Sequence, residues 1–73
     1  MPRLPVLSSG EVVRTFENLG WSVARPGAHI VMTKLGSSVT LSIPNHKEVA
    51  RGTLRALIRS AGMTVDEFTE ALD

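Results

Sequence analysis

The stretch Val39-Thr40-Leu41-Ser42-Ile43-Pro44 alternates apolar and polar residues without a break, and its reading decides the fold. A period of two puts Val39, Leu41 and Ile43 on one side of a strand and the hydroxyls on the other. Pro44 closes the run because proline has no N–H to give to a ladder. Ahead of it, Gly36-Ser37-Ser38 makes a turn. Residues 29–34 before that turn divide in the same way, with Ile30 and Met32 on one face and His29, Val31 and Thr33 on the other. Further back, Trp21-Ser22-Val23-Ala24-Arg25 alternates again, and Pro26-Gly27 has the order that a type II turn prefers. Three strands joined by short turns predict an antiparallel meander with one apolar face and one mixed, mostly polar face. Trp21 reads as a core anchor, since its alternation partner is Val23.

Helical signals bracket the meander. Ser8 and Glu11 have capping-box spacing, and Leu7 with Val12 occupies the staple positions around that cap. Val12, Val13, Phe16 and Leu19 then share one helical face, and Gly20 is a natural left-handed stop, so a helix is expected over about residues 9–19. Beyond a connector over residues 44–52, Leu54, Leu57, Ile58 and Ala61 form a buried stripe. Arg55 and Arg59 lie i,i+4 on the opposite side, and Gly62 ends that helix. Thr64 with Glu67 repeats the capping-box spacing and Met63 with Phe68 the staple, which predicts a short third helix over about 65–72 with Val65, Phe68 and Leu72 available for burial. The order α-β-β-β-α-α describes an α+β fold, a three-stranded antiparallel sheet with its helices on one face.

Composition narrows the chemistry. The chain has 73 residues, 42% of them hydrophobic, no cysteine and a formal net charge of +1. That length suits one domain over residues 1–73 with a thin core. Without cysteine there are no disulfides, thiolate metal sites or thiol nucleophiles. His29 and His46 cannot complete a structural zinc site without carboxylates, so neither a metal nor a cofactor is expected. No run is long enough to span a membrane, and the opening Met1-Pro2-Arg3-Leu4-Pro5 lacks the apolar core of a signal peptide. The expected compartment is therefore the cytoplasm. Charge is divided unevenly. Residues 18–62 hold Arg25, Lys34, Lys47, Arg51, Arg55 and Arg59 against Glu48 alone, whereas residues 63–73 hold Asp66, Glu67, Glu70 and Asp73 with no base. A basic middle beside an acidic tail points to one face for a polyanion and another for something else.

Two residues are candidates for chemistry. His29 opens the second strand on the face expected to be open, and imidazole is the side chain best suited to proton transfer near neutral pH. The plainer reading is a surface histidine after a glycine-containing turn. His46, in Pro44-Asn45-His46-Lys47, either binds phosphate and assists His29 or is a solvated loop residue. Lys47, Arg51, Arg55 and Arg59 recur every four residues, and the last three form a stripe if the helix starts early. They read either as phosphate contacts or as an ordinary charged helix face. With 4% aromatic residues, a sheet that recognises RNA by base stacking lacks the rings it needs.

The ordered set Leu19-Gly20-Trp21, Arg25, Gly27-Ala28-His29, Ile43-Pro44-Asn45-His46, Gly52-Thr53-Leu54-Arg55 and Ala61-Gly62 resembles the HicA-type toxins of toxin–antitoxin modules. The likeness runs from Leu4 to about Leu72. It implies a double-stranded-RNA-binding-domain-like fold, an endoribonuclease that cuts mRNA, and neutralisation by a HicB-like antitoxin, with the toxin a monomer when free. The catalytic histidine of that family carries over to His29. Arg25, Gly27, Lys34, His46, Lys47, Arg51, Arg55 and Arg59 become the candidate RNA contacts. The family usually has Gly-Ser-His where this chain has Gly27-Ala28-His29, so the hydroxyl beside the histidine is missing. Two other readings stay open: a non-catalytic RNA-binding module of the same fold, and a protein-interaction module without RNA.

Overall fold

The computed structural model describes residues 4–72 and follows the order α-β-β-β-α-α. Met1, Pro2 and Arg3, most of the opening read against a signal peptide, lie outside the described residues, as does Asp73. Helix α1 spans Ser9–Asn18, strands β1, β2 and β3 span Trp21–Arg25, His29–Lys34 and Thr40–Pro44, and helices α2 and α3 span Arg51–Ser60 and Val65–Glu70. The sheet is an antiparallel meander in the order β1-β2-β3. Among the described residues no helix is long and apolar enough to cross a membrane.

Both capping boxes form as their spacing predicts. The Ser8 hydroxyl accepts from the Glu11 N–H at 3.2 Å, and the Glu11 carboxylate accepts from the Ser8 N–H at 3.0 Å. Thr64 and Glu67 repeat the exchange at 3.2 and 2.8 Å. Each box satisfies donors that a helix start leaves without an intrahelical partner. At the helix ends, Gly20 and Gly62 take the left-handed φ values 96° and 76° that suit glycine.

One cluster fills the space between helices and sheet. Leu4, Leu7, Val12, Phe16, Trp21, Met32, Leu41, Ile43, Val49, Leu54, Leu57, Ile58 and Phe68 are buried together. Phe16 stands edge-on to Trp21, with centroids 6.1 Å apart, and tilted against Phe68 at 5.1 Å, so one ring joins α1 to the sheet and to α3. Asn18 adds a polar tie between the same helices by donating from Nδ2 to the Ala71 carbonyl at 3.0 Å. A bridge between Leu7 and Val49 clamps the leading segment to the connector.

Within the sheet the structure departs from the sequence reading at three places. Val39 is outside β3 and 36% exposed, because its N–H donates to the Ser37 hydroxyl and the turn runs on to that residue. Val23 is 40% exposed although it pairs with the buried Met32: β1 is an edge strand, only Trp21 in it is buried, and the ladder is irregular between Val23 and Arg25. Gly27 has φ 147°, well beyond the roughly 80° of the type II turn expected there, so the β1–β2 connection is a wider loop.

The Glu11 carboxyl is held below its ordinary value, first by the Ser8 N–H, then by the Ser8 hydroxyl and the charge of Arg14. A lowered carboxyl contributes stability that is present above its unfolded value and lost as pH falls through the folded one. Glu11→Gln should therefore flatten the acid limb of the stability–pH curve. Urea midpoints measured from neutral pH downward check this, and an unchanged slope on the acid limb would contradict it.

Candidate functional site

The open end of the sheet is built from β2, β3 and the connector after β3. Strand β2 outruns β1: the β1 ladder ends at Arg25 opposite Val31, while His29 and Ile30 pair only with Pro44 and Ile43 of β3. His29 is exposed and Ile30 half-buried, which fits alternation from the fully buried Met32 and sets His29 on the solvent face. Across that face runs a row of exposed hydroxyls, Ser22 beside Thr33 and Thr33 beside Thr40, with Ser42 opposite Val31.

The backbone ahead of His29 is held from outside its own hairpin. The Asn45 N–H donates to the Ala28 carbonyl at 3.0 Å, which adds one rung beyond the end of β3. Its side-chain Nδ2 donates to the Gly27 carbonyl at 3.1 Å, and its Oδ1 accepts from the Ser9 hydroxyl at 3.0 Å. The Ser9 N–H in turn donates to the His46 carbonyl at 3.0 Å. A carbonyl can only accept, so the amide nitrogen of Asn45 must face Gly27 and its oxygen must face the serine. The first turn of α1 thus fixes the connector, and the connector fixes the loop that delivers His29. Reading the sequence missed both Ser9 and Asn45. Their partners lie 36 and 18 residues away, beyond the reach of local spacing.

The basic residues divide into groups. Arg25 ends β1, and Gly27, His46 and Lys47 belong to the two segments joined by the Asn45 rung, so these four share the His29 end of the sheet. Lys34 does not: it ends β2 opposite Trp21, five residues and roughly 17 Å along the strand from His29. Arg51 opens α2, and its Nε donates to the Leu4 carbonyl at 2.8 Å, which commits one of its five donors to the fold. Arg55 and Arg59 flank a cavity of about 230 Å³ between α2 and α3, lined also by Ile58, Met63, Thr64 and Val65. Helix α2 begins without a side-chain cap at Ala50 and carries no acid in its first turn, so its positive end is not neutralised by its own residues.

Two further facts bound what this surface can do. All three aromatic residues, Phe16, Trp21 and Phe68, are buried, so no ring is presented on the sheet. Among the described residues no three His, Asp or Glu side chains gather into a group able to hold a metal ion.

A small α+β domain with one open sheet face and a basic rim at one end suits a protein that handles a polyanion, and comparison with known families makes the class specific. The sequence pattern of the HicA toxins of bacterial toxin–antitoxin systems matches residues 9–63, from the start of α1 to just past α2. The chain belongs to the HicA toxin family, and is the toxin of a toxin–antitoxin module with a cognate antitoxin as its partner. No significant match was found among curated proteins or solved structures. The match takes in His29, Asn45, His46 and the basic residues from Arg25 to Arg59, while α3 lies beyond it.

Proposed function

We propose that this toxin is an endoribonuclease that cuts mRNA without a metal, with His29 as its acid–base residue, and that a HicB-like antitoxin neutralises it. The observation that supports this most is the position of His29: an exposed imidazole at the open end of a hydroxyl-lined sheet, opening β2 directly after a loop held by two hydrogen bonds from Asn45, which is itself tied to Ser9, within the segment that matches the family.

RNA brings its own nucleophile. When a base takes the proton from a 2′-hydroxyl, that oxygen attacks the adjacent phosphorus, the bond to the 5′ oxygen breaks, and an acid returns a proton to the leaving oxygen. The products are a 2′,3′-cyclic phosphate and a free 5′-hydroxyl. An imidazole acting as acid or base contributes typically 10²–10⁴-fold. Arg25 and Lys47, at the same end of the sheet, are the cations suited to stabilise the added charge on phosphorus. With one histidine assigned, turnover is slow, which suffices for a toxin. Because every aromatic ring is in the core, recognition rests on phosphate and sugar rather than on base stacking.

Cleavage of a defined RNA by the purified protein should persist in EDTA, leave a 2′,3′-cyclic phosphate, and vanish in His29→Ala. A strict requirement for Mg²⁺ or Mn²⁺, or a His29→Ala variant that still cuts, would remove His29 from the central role.

Ala28 favours a second reading, an RNA-binding module of the same fold with weakened or lost cleavage. Ala28 is exposed and its backbone carbonyl already serves the Asn45 rung, so a serine adds a hydroxyl without crowding. Ala28→Ser should fold like the parent and cut faster. Equal cleavage by a well-folded serine variant would show that Ala28 is not what limits the rate.

Binding is separable from chemistry through salt. Each phosphate contact on a single strand contributes about −0.7 to the slope of log affinity against log salt. Removing Arg55 or Arg59 should lower that slope by less than one unit and weaken all RNA sequences alike, while His29→Ala leaves it unchanged. Fluorescence anisotropy at several salt concentrations reads this, and an arginine variant with full affinity and the parental slope would return that residue to an ordinary solvated face.

A further inference from the structure

We infer that Asn45 is the positioning residue of this site: through its paired bonds to Gly27 and Ala28 it sets the backbone that aims His29, and it draws its own rigidity from Ser9. The inference deepens the reading of His29 as the acid–base residue and rests on it for the effect on cleavage, but not for the effect on the loop.

The argument begins with what holds that loop. The β1 ladder has already ended when the chain reaches His29, and Gly27 adopts φ 147°, a value that L side chains rarely adopt. Gly27 and Ala28 are exposed, so no packing fixes them. Hydrogen bonds from Asn45 supply the restraint, one from its backbone to Ala28 and one from its side chain to Gly27. Two bonds from one residue to successive carbonyls define both the distance and the twist of the segment, which a single rung cannot. The side-chain amide is itself fixed, because its oxygen takes the proton of the Ser9 hydroxyl and Ser9 is buried at the start of α1. The restraint therefore runs from the capped end of α1 through Ser9 and Asn45 to the residue before His29. A misplacement of about 1 Å in a reacting group can cost on the order of 10²-fold in rate, so the conformation of this loop bears directly on kcat.

Asparagine is the side chain that does this, and aspartate separates the two halves of the role. Asn45→Asp keeps an acceptor for Ser9 but turns the donor facing the Gly27 carbonyl into an oxygen that repels it. Asn45→Ala loses both bonds. If Asn45 merely tied the connector to α1, Asn45→Asp would behave like the parent. If it positions the loop, Asn45→Asp behaves like Asn45→Ala at the site while keeping the parental thermal midpoint better than alanine does.

The experiment compares the parent, Asn45→Ala, Asn45→Asp and Ser9→Ala, all as the full chain, by kcat and KM on one RNA and by amide exchange and ¹⁵N relaxation at Ala28, His29 and Asn45. Expected are a fall of at least tenfold in kcat for both Asn45 variants with KM within twofold, a smaller fall for Ser9→Ala, and faster exchange of the Asn45 amide together with greater mobility at Ala28 and His29. Parental kcat in Asn45→Asp, or unchanged exchange and relaxation in Asn45→Ala, would overturn the inference. Should the parent itself not cut RNA, the ribonuclease reading fails, and the exchange and relaxation arm still decides whether Asn45 holds the loop.

Discussion

Phe16 stands between Trp21 and Phe68, and the other contacts of the fold are arranged around that position. A ring fully buried between two others contributes area burial and the edge-on geometry aromatic pairs prefer. In a chain of 73 residues with a thin core this is where helix α1, the sheet and helix α3 are made to agree. The same contact determines what the outer surface lacks. With Phe16, Trp21 and Phe68 all on the inner side, the solvent face of the sheet carries mainly hydroxyls with Val31 and His29, and a nucleic acid meeting it would find donors and acceptors rather than rings for stacking.

Local chemistry was legible because it depends on neighbours in sequence. Ser8 with Glu11 and Thr64 with Glu67 need only three-residue spacing to start a helix, and Gly20 and Gly62 need only a position just past its end. The inward face of β3 was legible at Leu41 and Ile43 for the same reason. Val39 and Val23 misled because alternation gives the side of a strand and says nothing of how far the cover extends. The turn hydroxyl of Ser37 removes Val39 from the ladder, and the edge position of β1 leaves Val23 half in water. His29 was singled out as a candidate through its face and through the likeness to the family. What holds its loop was not found, since Ser9, Gly27 and Asn45 are ordinary residues until the fold brings them together. Arg51 is a similar case. Its four-residue spacing from Arg55 suggested one stripe, but its bond to the Leu4 carbonyl ties it into the fold.

Membership of the HicA family says that this chain is the toxin of its module. The structure adds a physical account of how so small a protein can keep one imidazole in place. The sheet narrows to two strands at the end where His29 sits, since β1 no longer pairs there, and the connector after β3 extends the pairing by hydrogen bonds that trace back to the start of α1. Stability and site are linked through that helix end: its cap organises the fold, and its first residue organises the loop.

The central claim is that the RNA supplies the nucleophile and His29 moves the proton. The most direct test is a substrate in which the nucleotide at the cleavage position carries a 2′-deoxy sugar and every other nucleotide is unchanged. The account predicts that this RNA binds with the affinity of the all-ribose strand, the contacts being chiefly to phosphates, and is not cut at that position. Cleavage at the deoxy nucleotide at the parental rate would mean that water or a protein group attacks the phosphorus, and would contradict the account.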